Sequence, residues 1–379
     1  MDRVTELRLI DETLEHAARR TQQMEATGGS APIDIYTSPA QLDRELALLF
    51  RGGPLVVGHT SQLAAPGDFL THDETGVPLV VLRSEAGELR AYLNVCRHRG
   101  TRIVAEPAGR RLKALVCPYH GWTYDTDGQL FHIPHEVGFP QVDRRQSGLV
   151  PLPVVAHAGL VWVRPTPGDP LDLPRHLGPL EPELAHLDLA SHTVHQPRRF
   201  RKALNWKLAM EVFLEAYHLK RVHADSIYPL FFDNLGLHER LGRHLRNIFP
   251  KRTITQLAHL PESERRLRPH ANILYYVFPN TMLLVQPDHV SLFSAYPVGT
   301  EETEMHYCTL VPEPPTSEKA LRHWQKNIDI LFGAVQEDFA MGESIQRGLR
   351  SGANTHLTYG RFEHSLTYFH RSLTEALAT

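Results

Sequence analysis

Apolar residues first recur at helical spacing: Leu7, Ile10, Leu14 and Ala17 come every three or four positions and predict a helix, followed by a loop and a second apolar stretch over 42–50. From Gly53 to Arg164 the pattern shortens to β-runs separated by turn residues. Residues 77–83 and 88–94 flank Ala86-Gly87. Residues 122–124 and 129–132 flank Asp127-Gly128, a pair that predicts a type I′ hairpin turn, and residues 154–157 and 160–164 flank Gly159. These runs predict a small antiparallel β-domain. The stretch 165–182 is rich in proline and glycine and reads as a linker.

Beyond it the pattern mixes long helices with strands. Residues 201–228 contain neither Gly nor Pro and carry an apolar stripe through Trp206, Met210, Phe213, Leu214 and Tyr217, which predicts one long helix. Residues 272–277, 282–286, 291–296 and 305–311 predict successive strands of one sheet. Residues 317–349 predict a second long helix, with Leu321, Trp324, Ile328, Leu331, Val335 and Phe339 on its buried face. The expected division is an N-terminal helical segment over 1–50, a β-domain over 51–165 and an α+β domain over 166–379.

Composition adds little to this frame. A net charge of −3 over 379 residues gives no reason to expect nucleic acid or an anionic membrane as partner. The first twenty residues lack a signal-peptide core, and no run of about 18 apolar residues occurs, so the expectation is a cytoplasmic protein. Three cysteines are no disulfide framework; metal or catalytic use fits better. Neither a G-x-G-x-x-G run nor a P-loop is present, which argues against a dinucleotide bound by this chain.

The chemistry lies in two constellations. Cys96-Arg97-His98 is followed, eighteen residues later, by Cys117-Pro118-Tyr119-His120. Each segment offers one sulfur and one imidazole to a shared centre. Zinc is one reading, but zinc motifs commonly pair Cys with Cys and His with His. The interleaved order suits a [2Fe–2S] cluster with both Cys on one iron and both His on the other. The second constellation is Glu215, His218 and His223, with Glu211 one turn earlier. On an ideal helix Glu211, Glu215 and His218 fall within roughly 60° of one another, while His223 lies about 140° from His218. Two ligands of one metal cannot sit that far apart, so a π-bulge or a break is expected between the histidines.

Cys96-Arg97-His98-Arg99-Gly100 and Cys117-Pro118-Tyr119-His120-Gly121-Trp122 resemble the signature of the Rieske non-haem iron oxygenases, the family of aromatic-ring-hydroxylating dioxygenase alpha subunits. The spacer between the pairs is slightly longer than the commonest, consistent with a loop insertion. Glu215-x2-His218-x4-His223, with Glu337-Asp338, Glu343 and the segment 346–349, resembles the family's mononuclear iron site. The likeness runs from about Gly53 to the C-terminus, where the segments 360–363 and 369–371 resemble the family's last helix. The resemblance implies a Rieske antiparallel β-domain followed by a helix-grip (START-like) catalytic domain. It assigns Cys96, His98, Cys117 and His120 to the cluster, packed by Tyr119, Gly121 and Trp122, and His218, His223 and Asp338 to Fe(II), since a two-His-one-carboxylate set leaves positions open for dioxygen and substrate. It gives Glu215 the role of holding His218 and meeting His120 of a neighbouring subunit, as a bridge for electrons within a homotrimer. Asp is commonest at that position; some members acting on quaternary ammonium compounds carry Glu.

The activity implied is that of a terminal oxygenase. It takes electrons from NAD(P)H through a separate reductase or ferredoxin and uses O2 to hydroxylate, dihydroxylate or demethylate a small organic molecule. Phe213, Leu214, Tyr217, Tyr276, Met282, Leu284 and Phe293 are the pocket candidates. Two other classes stay open: a Rieske-type electron carrier, which needs only about the first 165 residues, and a zinc-binding protein without redox chemistry.

Overall fold

Turn chemistry builds the segment around the first constellation. In the computed structural model, which describes residues 1–378, Ala158 and Gly159 both take positive φ (49° and 77°). They join Val154–His157 to Leu160–Val163 with His157 opposite Leu160, the two-residue hairpin that a I′ turn favours. At Asp127-Gly128 the expected I′ turn does not form, since only Gly128 has positive φ. Asp125 Oδ1 accepts hydrogen bonds from the amides of Asp127 and Gln129 (2.9 and 2.8 Å), so a side chain takes over the turn's amides and the connection lengthens.

These strands belong to one compact unit, Glu45–His176 with Asp188–Thr193. It holds a sheet of Val154–His157, Leu160–Val163 and Leu55–His59, a second of Leu89–Leu93, Leu79–Arg83, Phe69–His72 and Ala108–Gly109, and a third of Leu115–Val116, Thr123–Tyr124 and Leu130–His132. One apolar core of this unit is built on Val80, Leu82, Tyr92, Cys96, Cys117, Trp122 and Tyr124, so both cysteines are core residues.

The other unit comprises Met1–Arg44, Leu177–Leu187 and the chain from Val194 onward. Its centre is a seven-stranded sheet in the order Thr193–Lys202, Thr303–Val311, Val290–Pro297, Thr281–Val285, Ala271–Val277, His244–Pro250 and Leu237–Leu241. The pairs from Thr303–Val311 across to Leu237–Leu241 are all antiparallel. The expected strands from 272 to 311 are all present. Ser317 Oγ accepts from the Ala320 amide (3.2 Å) and starts the long helix Glu318–Leu349, as expected of an N-cap serine. Phe332 of this helix lies edge-on to Tyr307 of the sheet at 4.8 Å. The C-terminal helix His364–Leu377 contributes Phe369, packed on Tyr276 (5.2 Å) and Trp206 (6.2 Å).

Four features differ from the sequence reading. Arg3–Arg19 is helical as expected, but Gly29–Pro32 is a strand, paired with His356–Tyr359. The expected linker carries the helices Leu173–Leu177 and Glu181–Leu187 with a 3-10 turn between them; Pro174, Pro179 and Pro182 sit in their first turns, where no amide donor is needed. Thr193–Lys202 is a strand without apolar alternation, half-buried and rich in Arg. The largest difference is the expected helix 201–228. Strand geometry persists to Lys202, helix spans only Trp206–Glu211, and one further turn forms at Leu219–Val222. No helix among the described residues is long and apolar enough to cross a membrane.

Candidate metal centres

The first constellation sits on two loops of the same construction. Val95 pairs with Arg102 and Val116 with Thr123, and each pair closes a six-residue loop. In the first, the Cys96 amide donates to Thr101 O (2.8 Å) and the Gly100 amide to Cys96 O (3.0 Å). In the second, the Cys117 amide donates to Trp122 O (2.8 Å) and the Gly121 amide to Cys117 O (3.0 Å). Gly100 and Gly121 occupy equivalent positions with φ of 78° and 72°, a region costly for a residue with Cβ. Buried Asn94 holds the first loop, accepting from the amides of Ile103 and Val104 and donating to Val104 O (3.2, 2.9 and 2.7 Å). Tyr124 joins the two loops: its hydroxyl accepts from the Arg97 amide (2.9 Å) and lies 3.5 Å from Cys96 Sγ.

The donor set is sorted by depth. Cys96 and Cys117 are 3% and 2% exposed, whereas His98 is half-buried and His120 exposed. The imidazoles stand 4.8 Å apart, and His98 stacks on Trp122 at 4.9 Å. Burial pushes the Cys96 thiol up, the Tyr124 hydroxyl works against this, and the neighbouring Cys117 sulfur pushes it further. Burial and the charges of His120 and Arg99 hold the His98 imidazole below its usual range. Two buried sulfurs facing each other without a cation are costly as thiolates. With two adjacent imidazoles they match the ligand chemistry of a cluster with two sulfur and two nitrogen donors.

The second constellation forms because the chain leaves the helix. After Glu211 the amides of Phe213 and Leu214 bond three residues back, to Met210 and Glu211 (3.2 and 2.9 Å). The Glu215 carboxylate then accepts the amides of Tyr217 and His218, as a cap does, and a new turn begins. The break therefore falls before His218 rather than between the two histidines. His223 ends the turn with φ −104° and ψ 22°, which swings its ring round toward His218, 5.1 Å away. The expected shared face of Glu211 and Glu215 is absent for the same reason. Glu211 is buried elsewhere, accepting from the Tyr36 hydroxyl (2.8 Å) beside His370.

The ligand atoms of His218, His223 and Asp338 lie within 4.8 Å of one another. Asp338 Oδ1 is 3.3 Å from His218 Nε2 and 2.8 Å from His223 Nε2. This oxygen is buried and makes no hydrogen bond of acceptable geometry; the three atoms converge on a common point instead of aiming at each other. Each ring is held from behind by its own carboxylate: His218 Nδ1 by Glu215, and His223 Nδ1 by Glu337 Oε2 at 2.6 Å. A proton on each Nδ1 leaves each Nε2 free as a donor to a metal. Burial opposes charging His218, but Glu215 and Asp338 overcome it and raise this imidazole to about 10. Burial opposes the Asp338 charge as well, and the two histidines overcome it, holding the carboxyl below its usual range. An uncompensated acidic and imidazole set of this kind fits a divalent cation.

The two constellations are placed as two donor sets. Of the pocket candidates, Phe213 packs on Phe293 (5.4 Å) and Phe339 (6.1 Å) beside the second set. Tyr276 is fully buried with its hydroxyl donating to Pro279 O (2.5 Å), and Tyr217 is exposed against Phe362. The sequence reading missed Glu337 as the partner of His223; Ser226 Oγ also donates to it, at 2.6 Å. Its only signal was adjacency to Asp338, since neighbours on a helix point about 100° apart and reach different sides of one site.

Two family models match. Residues 53–143 match the Rieske [2Fe-2S] domain, and residues 189–379, half of the chain, match the ring hydroxylating alpha subunit catalytic domain. The chain belongs to the ring-hydroxylating alpha subunit family. It is therefore an oxygenase component with a Rieske [2Fe–2S] domain and a mononuclear non-haem iron domain. This alpha subunit is 27% identical over 362 residues to the carnitine monooxygenase oxygenase subunit of Acinetobacter pittii, covering 89% of this chain and 92% of the relative. It is 31% identical over 230 residues to the glycine betaine monooxygenase oxygenase subunit of Pseudomonas aeruginosa, covering 60% and 53%. Among solved structures, the quaternary ammonium Rieske monooxygenase CntA superposes with a TM-score of 0.80 at 24% identity, covering 92% and 96%. Naphthalene 1,2-dioxygenase from Rhodococcus sp. gives 0.75 at 22%, covering 98% of both chains.

In this alpha subunit Glu337→Gln is expected to weaken iron binding about 10- to 100-fold, because the His223 ring loses the carboxylate that fixes its tautomer. Iron retention during dialysis against a chelator measures this. Retention equal to the parent protein would show that Glu337 merely decorates the helix.

Proposed function

We propose that this oxygenase subunit acts on a small N-methylated quaternary ammonium compound, with His218, His223 and Asp338 holding the mononuclear iron and Cys96, His98, Cys117 and His120 holding the cluster. The observation that carries the ligand assignment is the convergence of both Nε2 atoms on the orphaned Asp338 Oδ1. When bound, the iron supplies dioxygen activation and the cluster supplies electrons one at a time. The protein's part is to orient the two imidazoles through Glu215 and Glu337, next to the packed rings of Phe213, Phe293 and Phe339.

Two observations support the substrate class. Glu215 stands where Asp is commonest. Relatives spanning most of the chain are named for carnitine. We further propose a homotrimer in which Glu215 meets the partner subunit's His120, with electrons arriving from NAD(P)H through a separate reductase or ferredoxin. His120 is exposed on its loop, and inter-subunit electron transfer is described for CntA. The expected location is the cytoplasm, consistent with three cysteines that form no disulfide.

Purified subunit with a reductase is expected to couple NADH oxidation and oxygen uptake to carnitine, glycine betaine or γ-butyrobetaine at least tenfold above the rate without substrate. Coupling only to aromatic acids or aryl ethers would replace the ammonium reading with an arene one.

A further inference from the structure

The first 44 residues belong to the same unit as the second donor set, and they bring one side chain into its interior. The strand Gly29–Pro32 pairs with His356–Tyr359, and the helical turn Asp34–Thr37 that follows buries Tyr36 completely. Tyr36 is held at both ends of the helix Trp206–Glu211. Its carbonyl accepts from Asn205 Nδ2, at the cap (2.9 Å), and its hydroxyl donates to Glu211 Oε1, at the last residue (2.8 Å). A hydroxyl has one proton to give, so in the 3.0 Å contact between the Tyr36 and Tyr359 hydroxyls Tyr359 is the donor. His370 Nε2 stands 3.1 Å from each of Tyr36, Tyr359 and Glu211. Tyr36, Tyr359 and Glu211 are all buried. A purely structural tie could be made from apolar side chains at less cost than a buried carboxylate. The cluster is also linked to the second donor set. Glu211 O accepts the Leu214 amide (2.9 Å), Leu214 is bonded to Glu215, and the Glu215 carboxylate holds His218 Nδ1. This is an unbroken path of bonds and hydrogen bonds from the Tyr36 hydroxyl to His218.

We propose that Tyr36 is redox-active: when dioxygen has oxidised the mononuclear iron site with no substrate present, the Tyr36 phenol gives that site one electron and gives its proton to Glu211. This rests on the assignment of that iron to His218, His223 and Asp338 above. The step leaves a neutral phenoxyl radical on Tyr36, a carboxylic acid at Glu211 and an iron site reduced by one electron. One electron from the cluster, with the proton returned by Glu211, restores the phenol and the carboxylate. Direct proton transfer needs an acceptor within hydrogen-bond reach, and Glu211 Oε1 is at 2.8 Å. Losing electron and proton together avoids a charged ring in an apolar core. Burial and the Glu211 charge push the Tyr36 phenol well up, so it keeps its proton until the electron leaves. The Tyr359 hydroxyl, already donating to the Tyr36 oxygen, stays in place to stabilise the radical. Trp206, the other oxidisable ring on this helix, is disfavoured. The Lys207 ammonium lies 5.1 Å over it, against 5.8 Å for Tyr36, and opposes the positive charge that an oxidised indole carries. An oxidising equivalent that meets no substrate is thereby drawn away from His218 and His223, which are spared from oxidation.

The test is electron paramagnetic resonance on the reduced holoenzyme, mixed with dioxygen without substrate and freeze-quenched across its reoxidation. The expected result is an organic radical signal that narrows in protein made with ring-deuterated tyrosine and is lost in Tyr36→Phe. Glu211→Gln keeps an acceptor for the phenol's hydrogen bond but cannot take its proton, and is expected to lose the signal as well. Asp338→Ala, which removes the oxidant, is expected to show none. Circular dichroism and iron content check that Tyr36→Phe and Glu211→Gln are folded and loaded, and the labelled parent decides the matter if they are not. Substrate-free turnover is expected to damage Tyr36→Phe faster than the parent, read by mass spectrometry as oxidised His218 and His223. A parent with about three irons per chain that consumes dioxygen without a tyrosine radical overturns the proposal and leaves the oxygenase reading standing. A tyrosine signal that survives Tyr36→Phe or Glu211→Gln overturns it too. One that survives Asp338→Ala overturns it together with the iron assignment.

Discussion

Asp338→Ala is expected to abolish substrate-coupled oxygen uptake and to lower iron from about three to about two per chain, leaving the visible spectrum of the cluster unchanged. Asp338 supplies the only carboxylate oxygen on which both Nε2 atoms converge. Without it the site is two neutral donors, too few for firm retention of a divalent cation. The variant also removes a buried anion that both histidines stabilise, so folding is checked separately by circular dichroism and thermal unfolding, since the cluster spectrum reports the other unit. Iron analysis, absorbance and oxygen uptake on one preparation decide the matter. Iron content equal to the parent's would move the mononuclear site away from the triad; loss of colour together with activity would deny that the two centres are separate.

Glu215→Gln is expected to reduce turnover at saturating iron by at least about a hundredfold, while dithionite still bleaches the cluster normally. The Glu215 carboxylate serves two backbone amides with one oxygen and His218 Nδ1 with the other. An amide offers one acceptor only. If its oxygen stays on the two amides, its NH2 group faces the Nδ1–H of His218 and favours the wrong tautomer, with the proton on the Nε2 proposed to bind iron. The negative charge proposed to meet the partner subunit's His120 is lost as well. Glu215→Asp, the commoner residue in the family, is expected to recover part of the rate. Single-turnover measurement with pre-reduced protein separates the steps, and parent-like rates in Glu215→Gln would remove Glu215 from the electron path.

The two centres were legible to different degrees, for physical reasons. The Cys-x-His and Cys-x2-His segments needed only local chain, since each loop closes on itself through its own amides and one glycine. The last four strands of the large sheet were legible because continuous apolar runs bounded by turns have few other uses. The helix expected over 201–228 was misread because nothing local forbids helix there. The break is made by the Glu215 side chain capping the next turn, and a carboxylate in mid-helix looks the same in sequence whether it caps or is solvated. The strand Thr193–Lys202 lacks the alternation by which strands are read, since its helix-facing positions carry cations stacked on rings from residues more than a hundred positions away. Glu337 was invisible as a partner of His223 because that contact exists only once the long helix is packed.

The paired loops have one further consequence. With Cys96 and Cys117 sealed in the core and His98 and His120 toward the surface, a cluster held by these four residues as proposed would be insulated on one side and bare on the other. Charge exchanged with such a cluster would pass most directly along the imidazole edge, so one face of the domain would serve as its terminal.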